Sequence, residues 1–146
     1  TVDINKQIQS LEGISGFEKI KRINRISLRS LEHQKLAFSA KSLLTDPRVI
    51  GELYIEAFQK TIPYLQGVIE EGIQDGSIST RYPQEIAELI VLSTNMWLAP
   101  SLYKMNEEEL LNKLNFFKQL YDGVQFPLID DEYIQDVVTM YKVIKE

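Results

Sequence analysis

Apolar residues recur along this chain at intervals of three and four, the period of a helix, and nowhere alternate with the period of two that marks a strand. Val2, Ile4, Ile8 and Leu11 predict a first helix that Gly13 and Gly16 end. Phe17, Ile20, Ile23, Ser27 and Leu31 open a long second helix that extends toward Leu44. Asp46-Pro47 reads as an N-cap followed by proline at the first helical position, where its missing N–H is no loss. The helix it starts carries an inner stripe of Ile55, Phe58, Ile62, Leu65, Ile69 and Ile73 and stops at Gly76. Pro83 opens a fourth helix that is apolar around much of its circumference, and Asn106 with Glu109 makes a capping-box start for a fifth. A sixth begins at Asp130-Asp131-Glu132, carries Ile134, Val137, Val138 and Tyr141, and ends with Lys142 and Lys145. The pattern predicts an all-α bundle of about six helices, one domain over residues 1–146.

Two prolines interrupt these helices. Pro63 and Pro100 each remove an N–H and press on the carbonyl four residues back, at Gln59 and Met96, so both sites should bend. Tyr54, Phe58, Ile62 and Tyr64 gather near the first bend, and Asn95, Met96, Trp97 and Tyr103 near the second. Bent helices pack imperfectly and leave room for a cavity. The candidate ligand-binding residues are His33, Phe38, Tyr54, Phe58, Ile62, Ser93, Met96 and Trp97, on inward-facing positions or beside the bends. The competing reading is that the aromatic residues simply fill a core.

Composition removes most chemistry. There is no cysteine, hence no disulfide or thiolate site, which fits a cytoplasmic protein. No apolar run is long enough to span a bilayer, and no basic-then-apolar signal segment follows Thr1, which reads as the start of a fragment. His33 is the only histidine, and Ser30 stands where a Glu-x-x-His metal pair would need its glutamate. No Gly-x-Ser-x-Gly elbow or phosphate-binding glycine loop occurs, so neither an enzyme nor a metal or cofactor is expected. Glu107 to Glu109 and Asp130-Asp131 fall in first helical turns, where capping explains them, and Glu70-Glu71 is the remaining acidic pair. Net charge is −5, with nine Lys/Arg against five Asp/Glu in residues 1–50 and seven against sixteen beyond. Within the basic run Lys19, Lys21, Arg22, Arg25 and Arg29, positions 22, 25 and 29 share a face that reads as solvated, with phosphate steering as the alternative.

Residues 58–100, FQKTIPYLQGVIEEGIQDGSISTRYPQEIAELIVLSTNMWLAP, resemble the ligand-sensing C-terminal domain of TetR-family transcriptional repressors. The resemblance rests on Val68-Ile69, Gly72-Ile73, Gly76, Ile78, Pro83 and Ala87. It implies a homodimer through a four-helix bundle, two helices from each subunit, here 84–104 and 107–122. Val91, Leu98 and Leu102 on the first, and Leu110, Leu114, Phe117 and Tyr121 on the second, are the expected interface. A helix placed between its own core and a partner needs two apolar faces, as the fourth helix has. The mostly uncharged candidate lining suggests a small apolar or aromatic effector, and the Asp and Glu nearby would equally suit a cationic one; the resemblance implies DNA contact only through an upstream helix-turn-helix, which this sequence lacks. The rival expectation is a helical module that docks a protein in an exposed groove and holds no small molecule.

Overall fold

The computed structural model describes residues 11–37, 46–98, 102 and 104–145, with the side chains of 29–37 and 144 excepted. Among them there is no strand. The helices are α1 (Gly16–Ala37), α2 (Pro47–Glu56), α3 (Ile62–Asp75), α4 (Pro83–Val91), α5 (Glu107–Gly123) and α6 (Asp131–Lys145). Ala57–Thr61 and Leu92–Leu98 are π-helical stretches that continue α2 into α3 and extend α4. The expected first helix lies outside the described residues except for Leu11, which is buried, and the expected reach of the second toward Leu44 is described only as far as Ala37.

The start of α1 is held by the end of α3. Gly16 N–H donates to Asp75 Oδ2 at 2.8 Å and Phe17 N–H to Ser77 Oγ at 3.1 Å, so two of the four orphan donors of α1 are capped from sixty residues away. Close approach makes this possible. A Cβ on Gly16 would lie 2.9 Å from the Val68 carbonyl oxygen and nearer still to the Gly72 backbone. Gly76 ends α3 at φ 82°, the left-handed region that favours glycine. Ile78 then turns back into the core, its N–H donating to the Gly72 carbonyl at 3.0 Å. Gly72 and Ile78 of the sequence signature thus belong to the joint between α1 and α3.

Asp75 gives this joint a pH dependence. Hydrogen bonds from Ser77 and from the Gly16 N–H hold its carboxyl below the ordinary value of 3.8, with Lys19 adding a smaller pull. A folded pKa below the unfolded one means the capping is fully present above 3.8 and is lost as pH falls through the lower folded value. The difference in melting temperature between the wild type and Asp75→Ala is therefore expected to be full at neutral pH and to shrink in acid below 3.8. A gap that is constant with pH would mean that the charge on Asp75 plays no part.

The inner stripe expected on the third helix is only half correct. Ile62, Leu65 and Ile69 are buried, whereas Ile55 is 55% exposed and Phe58 and Ile73 also reach solvent. For Ile55 and Phe58 the cause is the π-turn: the Ile62 N–H bonds to the Ala57 carbonyl, five residues back. One extra residue rotates everything upstream, so Ala57 takes the inward position and no residue of α2 is buried. Pro63 falls in the first turn of α3, where its missing N–H is tolerated, and the expected bend appears as this widened turn. Pro100 lies outside the described residues. On α1 the buried face is Gly16, Ile20, Asn24 and Leu28, one position round from the predicted Ile23 and Ser27.

The core joins all elements except α2. Ile20, Ile69, Ala87, Leu102, Leu110, Leu114, Phe117, Tyr121, Phe126 and Val137 sit at its centre. Residues 124–130 lead α6 back against α1 and α5. Phe126 meets Phe17 edge-on at 5.6 Å, and the Tyr141 hydroxyl donates to the Met105 carbonyl at 2.8 Å. Ion pairs fasten the outside: Lys19–Glu71 at 2.7 Å, Lys21–Asp130 at 3.4 Å, Arg25–Glu132 at 3.1 Å and Lys118–Asp131 at 3.1 Å. The basic face of α1 is thus engaged with the chain's own acids at Lys19, Lys21 and Arg25.

Candidate functional site

A cluster of hydroxyl and amide groups interrupts the apolar core where α1, the second π-stretch, α5 and α6 converge. The Ser93 hydroxyl donates to the Ile90 carbonyl at 3.3 Å, and Ser93 Oγ lies 2.6 Å from the Tyr121 hydroxyl, so Tyr121 donates to Ser93 in the arrangement that satisfies both. Beside them the Tyr133 hydroxyl faces the side chains of Asn24 and Thr94. Burial pushes the Tyr133 phenol up to about 12, with Asn24 and Thr94 opposing the rise. Burial likewise raises Tyr121, against the Ser93 hydrogen bond and with a smaller push from Tyr133. Both phenols stay protonated at neutral pH, so these groups form an uncharged polar island.

Asn24 is the anomaly within it. The residue is 4% exposed, and its Nδ2 meets no acceptor in hydrogen-bonding geometry. A buried donor left without a partner costs about 1–3 kcal/mol. The Tyr133 hydroxyl lies within hydrogen-bonding reach of the Asn24 side chain, which holds the phenol's pKa down, yet Nδ2 makes no bond of full hydrogen-bonding geometry.

The predicted ligand residues separate into three groups. Ser93 is inside the island, Ile62 is core, and Met96 is half-buried on the same π-stretch as Ser93. Tyr54 and Phe58 meet at a tilt, 4.8 Å between centroids, on the outer surface, 49% and 36% exposed, and Trp97 is 46% exposed, so these three do not wall an interior pocket. The π-turns turned Tyr54, Phe58 and Trp97 outward. The His33 side chain and Phe38 lie outside what the structure describes. The signal for Asn24 was available in the sequence as one polar residue in the four-spaced series Ile20, Asn24, Leu28.

The residues expected at the dimer interface lie inside the single chain. Val91, Leu98, Leu102, Leu110, Leu114, Phe117 and Tyr121 are all buried by this single chain, none more than 2% exposed, and have no surface left to offer a second copy. α6 and the loop before it complete the enclosure of a core that the sequence reading left open to a partner. What the same helices leave outside is aromatic: Trp97 and Phe116 meet at 5.9 Å, both about half exposed. Phe117 packs beneath Trp97 at 5.0 Å, and Lys113 Nζ lies 5.7 Å over the indole. Desolvation lowers the Lys113 pKa, and Glu109 opposes that shift. A separate wide-mouthed groove of about 720 Å³ runs between Lys104, Asn106, Glu109, Tyr141, Lys142 and Lys145.

The fold and this site define an all-helical bundle with an uncharged polar island inside and an aromatic face outside. The family model for the Tetracyclin repressor-like, C-terminal domain matches residues 48–120, half of the chain, and the chain belongs to that family. The matched span runs from α2 into α5, while α1 and α6 lie outside it. No curated protein and no solved structure matches the chain. Among the described residues no helix is long and apolar enough to cross a membrane.

Proposed function

We propose that this chain is the effector-sensing and self-associating domain of a TetR-like transcriptional regulator. The observation that carries the reading is the polar island around Asn24, set in an apolar core beside a π-helical stretch. π-turns recur at functional sites, and polar groups convergent within apolar walls are what a small-molecule site requires. A neutral, largely apolar or aromatic effector fits this environment. Its preference for one arrangement of helices over another is what would alter DNA binding by the helix-turn-helix of an intact regulator. A cytoplasmic setting is consistent with this role.

The second copy in the proposed homodimer sits on the face centred on Trp97 and Phe116, the large apolar side chains that the π-stretch and α5 leave exposed. Changing both to glutamate is expected to leave the helical content intact and to convert a dimer to a monomer in sedimentation at micromolar concentration. A wild type that is monomeric over a wide concentration range would sink the dimer.

Effector binding is tested by a thermal-shift screen with neutral apolar and aromatic compounds. A ligand at a hundred times its dissociation constant adds about 2.7 kcal/mol, a rise of roughly 5–10 °C for a chain of this size. The second reading, a protein-docking module, is favoured by α2, where Leu53, Tyr54 and Ile55 are all more than 40% exposed. A screen without a single shift would move the assignment there.

A further inference from the structure

Six hydrogens on oxygen or nitrogen are available among Asn24, Ser93, Thr94, Tyr121 and Tyr133. The Tyr121–Ser93–Ile90 chain uses two of them in sequence and closes on a backbone carbonyl. The surplus left in the cluster is specifically a donor, the amide nitrogen of Asn24. A donor without an acceptor selects a ligand that brings one.

The charge of that ligand follows from the surroundings. None of the five side chains carries a charge at neutral pH, since both phenols remain protonated. The nearest cations on the same helix, Lys21 and Arg25, are turned to the surface and held by Asp130 and Glu132. A carboxylate or phosphate brought to Asn24 would lose its hydration with no cation to replace it, whereas a neutral carbonyl gives up little and gains a fixed donor.

We propose that Asn24 is the recognition residue of the effector site, donating through Nδ2 to a neutral carbonyl-type oxygen, with Thr94 and Tyr133 flanking the bound group. The proposal deepens the effector-sensing reading and rests on it. It assigns the polar end of the ligand to the island and leaves its apolar part to the aliphatic core beside the π-stretch. Ser93 and Tyr121, already satisfied by each other, do not contribute to selectivity.

The test uses matched probes that differ only in the acceptor: 2-acetylnaphthalene against 2-ethylnaphthalene, and acetophenone against ethylbenzene, with 2-naphthoate as the anionic control. Calorimetric titration of the wild-type chain is expected to show the ketones preferred over the hydrocarbons by at least about tenfold, and naphthoate weaker than acetylnaphthalene. In Asn24→Leu the ketone preference is expected to vanish while hydrocarbon binding persists, and the melting temperature to rise by a few degrees as the unpaired donor is removed. A measurement on the unaltered protein guards against misfolding of the variant: the Asn24 side-chain amide proton should move downfield in nitrogen-correlated NMR with acetylnaphthalene and stay in place with ethylnaphthalene.

Equal affinity for ketone and hydrocarbon, or a preference that survives in Asn24→Leu, overturns this assignment and leaves the effector reading standing. So does an NMR contact from Asn24 Nδ2 to a resident buried water that the ketone does not displace. Failure of every ketone to bind also overturns it, and the effector reading is then decided separately by the broad thermal-shift screen.

Discussion

Replacing Leu114 by aspartate is expected to abolish folding, and the reason is burial within one chain. Leu114 is 0% exposed at the centre of the core, among Leu110, Phe117 and Tyr121 of the same helix. The change removes a packed aliphatic side chain, which alone costs about 2–5 kcal/mol, and puts a carboxyl group where no partner awaits it. Total stability of a domain this size is about 5–15 kcal/mol, so the sum consumes most of it. The expected product is insoluble or lacks a cooperative melting transition by circular dichroism. A soluble, folded monomer would instead show that Leu114 serves association and that α6 does not seal this face. The Trp97 and Phe116 substitutions are the complement, since they alter the outside and spare the inside.

The second large effect comes from a single methyl group. Gly16→Ala places a Cβ against the backbone of Gly72 and the carbonyl of Val68, atoms that cannot swing aside as a side-chain terminus can. Either α1 withdraws from α3 or the capping of its N-terminus by Asp75 and Ser77 is distorted. Overpacking of this kind costs about 1–3 kcal/mol, a fall of roughly 3–10 °C in melting temperature. Gly67→Ala, on α3, supplies the control. A Cβ there meets nothing within 4 Å, so the better helix former should stabilise by about 0.5–1 kcal/mol. Opposite signs for the same substitution would identify Gly16 as a packing glycine; a stabilising Gly16→Ala would mean that the two helices stand further apart.

The helices themselves were legible because their punctuation is local. Asp46 accepts from the Arg48 N–H, Asn106 from the Glu109 N–H, and Gly76 adopts its left-handed conformation, as the caps in the sequence require. The family signature was legible too, and Gly72 and Ile78 within it belong to the joint between α1 and α3. What periodicity could not reveal was where a helix takes an extra residue. A count in threes and fours runs straight through Ala57–Thr61 and Leu92–Leu98, yet inward positions there are five apart, as at Ala57 and Ile62 or Ser93 and Leu98. That error turned Phe58 and Trp97 from presumed pocket walls into surface groups. The residues expected at the interface are buried within one chain for another reason: a helix apolar on two sides says that two things cover it, not whether the second is another chain or a later part of its own. Here residues 124–145 take part in that cover.

The ion pairs along α1 also shape what the domain looks like from a distance. Lys19, Lys21 and Arg25 sit within 4 Å of Glu71, Asp130 and Glu132, so their charges largely cancel beyond the surface. The Arg25 guanidinium is held still more firmly in its charged form by its hydrogen bond to Glu132. With net charge −5, the far field is that of the remaining acids, and it extends over about 8 Å at physiological ionic strength. A polyanion approaching this body is repelled until salt screens the field, the reverse of the salt dependence of a surface that binds nucleic acid. A basic segment joined to this domain would accordingly lead toward a nucleic acid, with this body trailing.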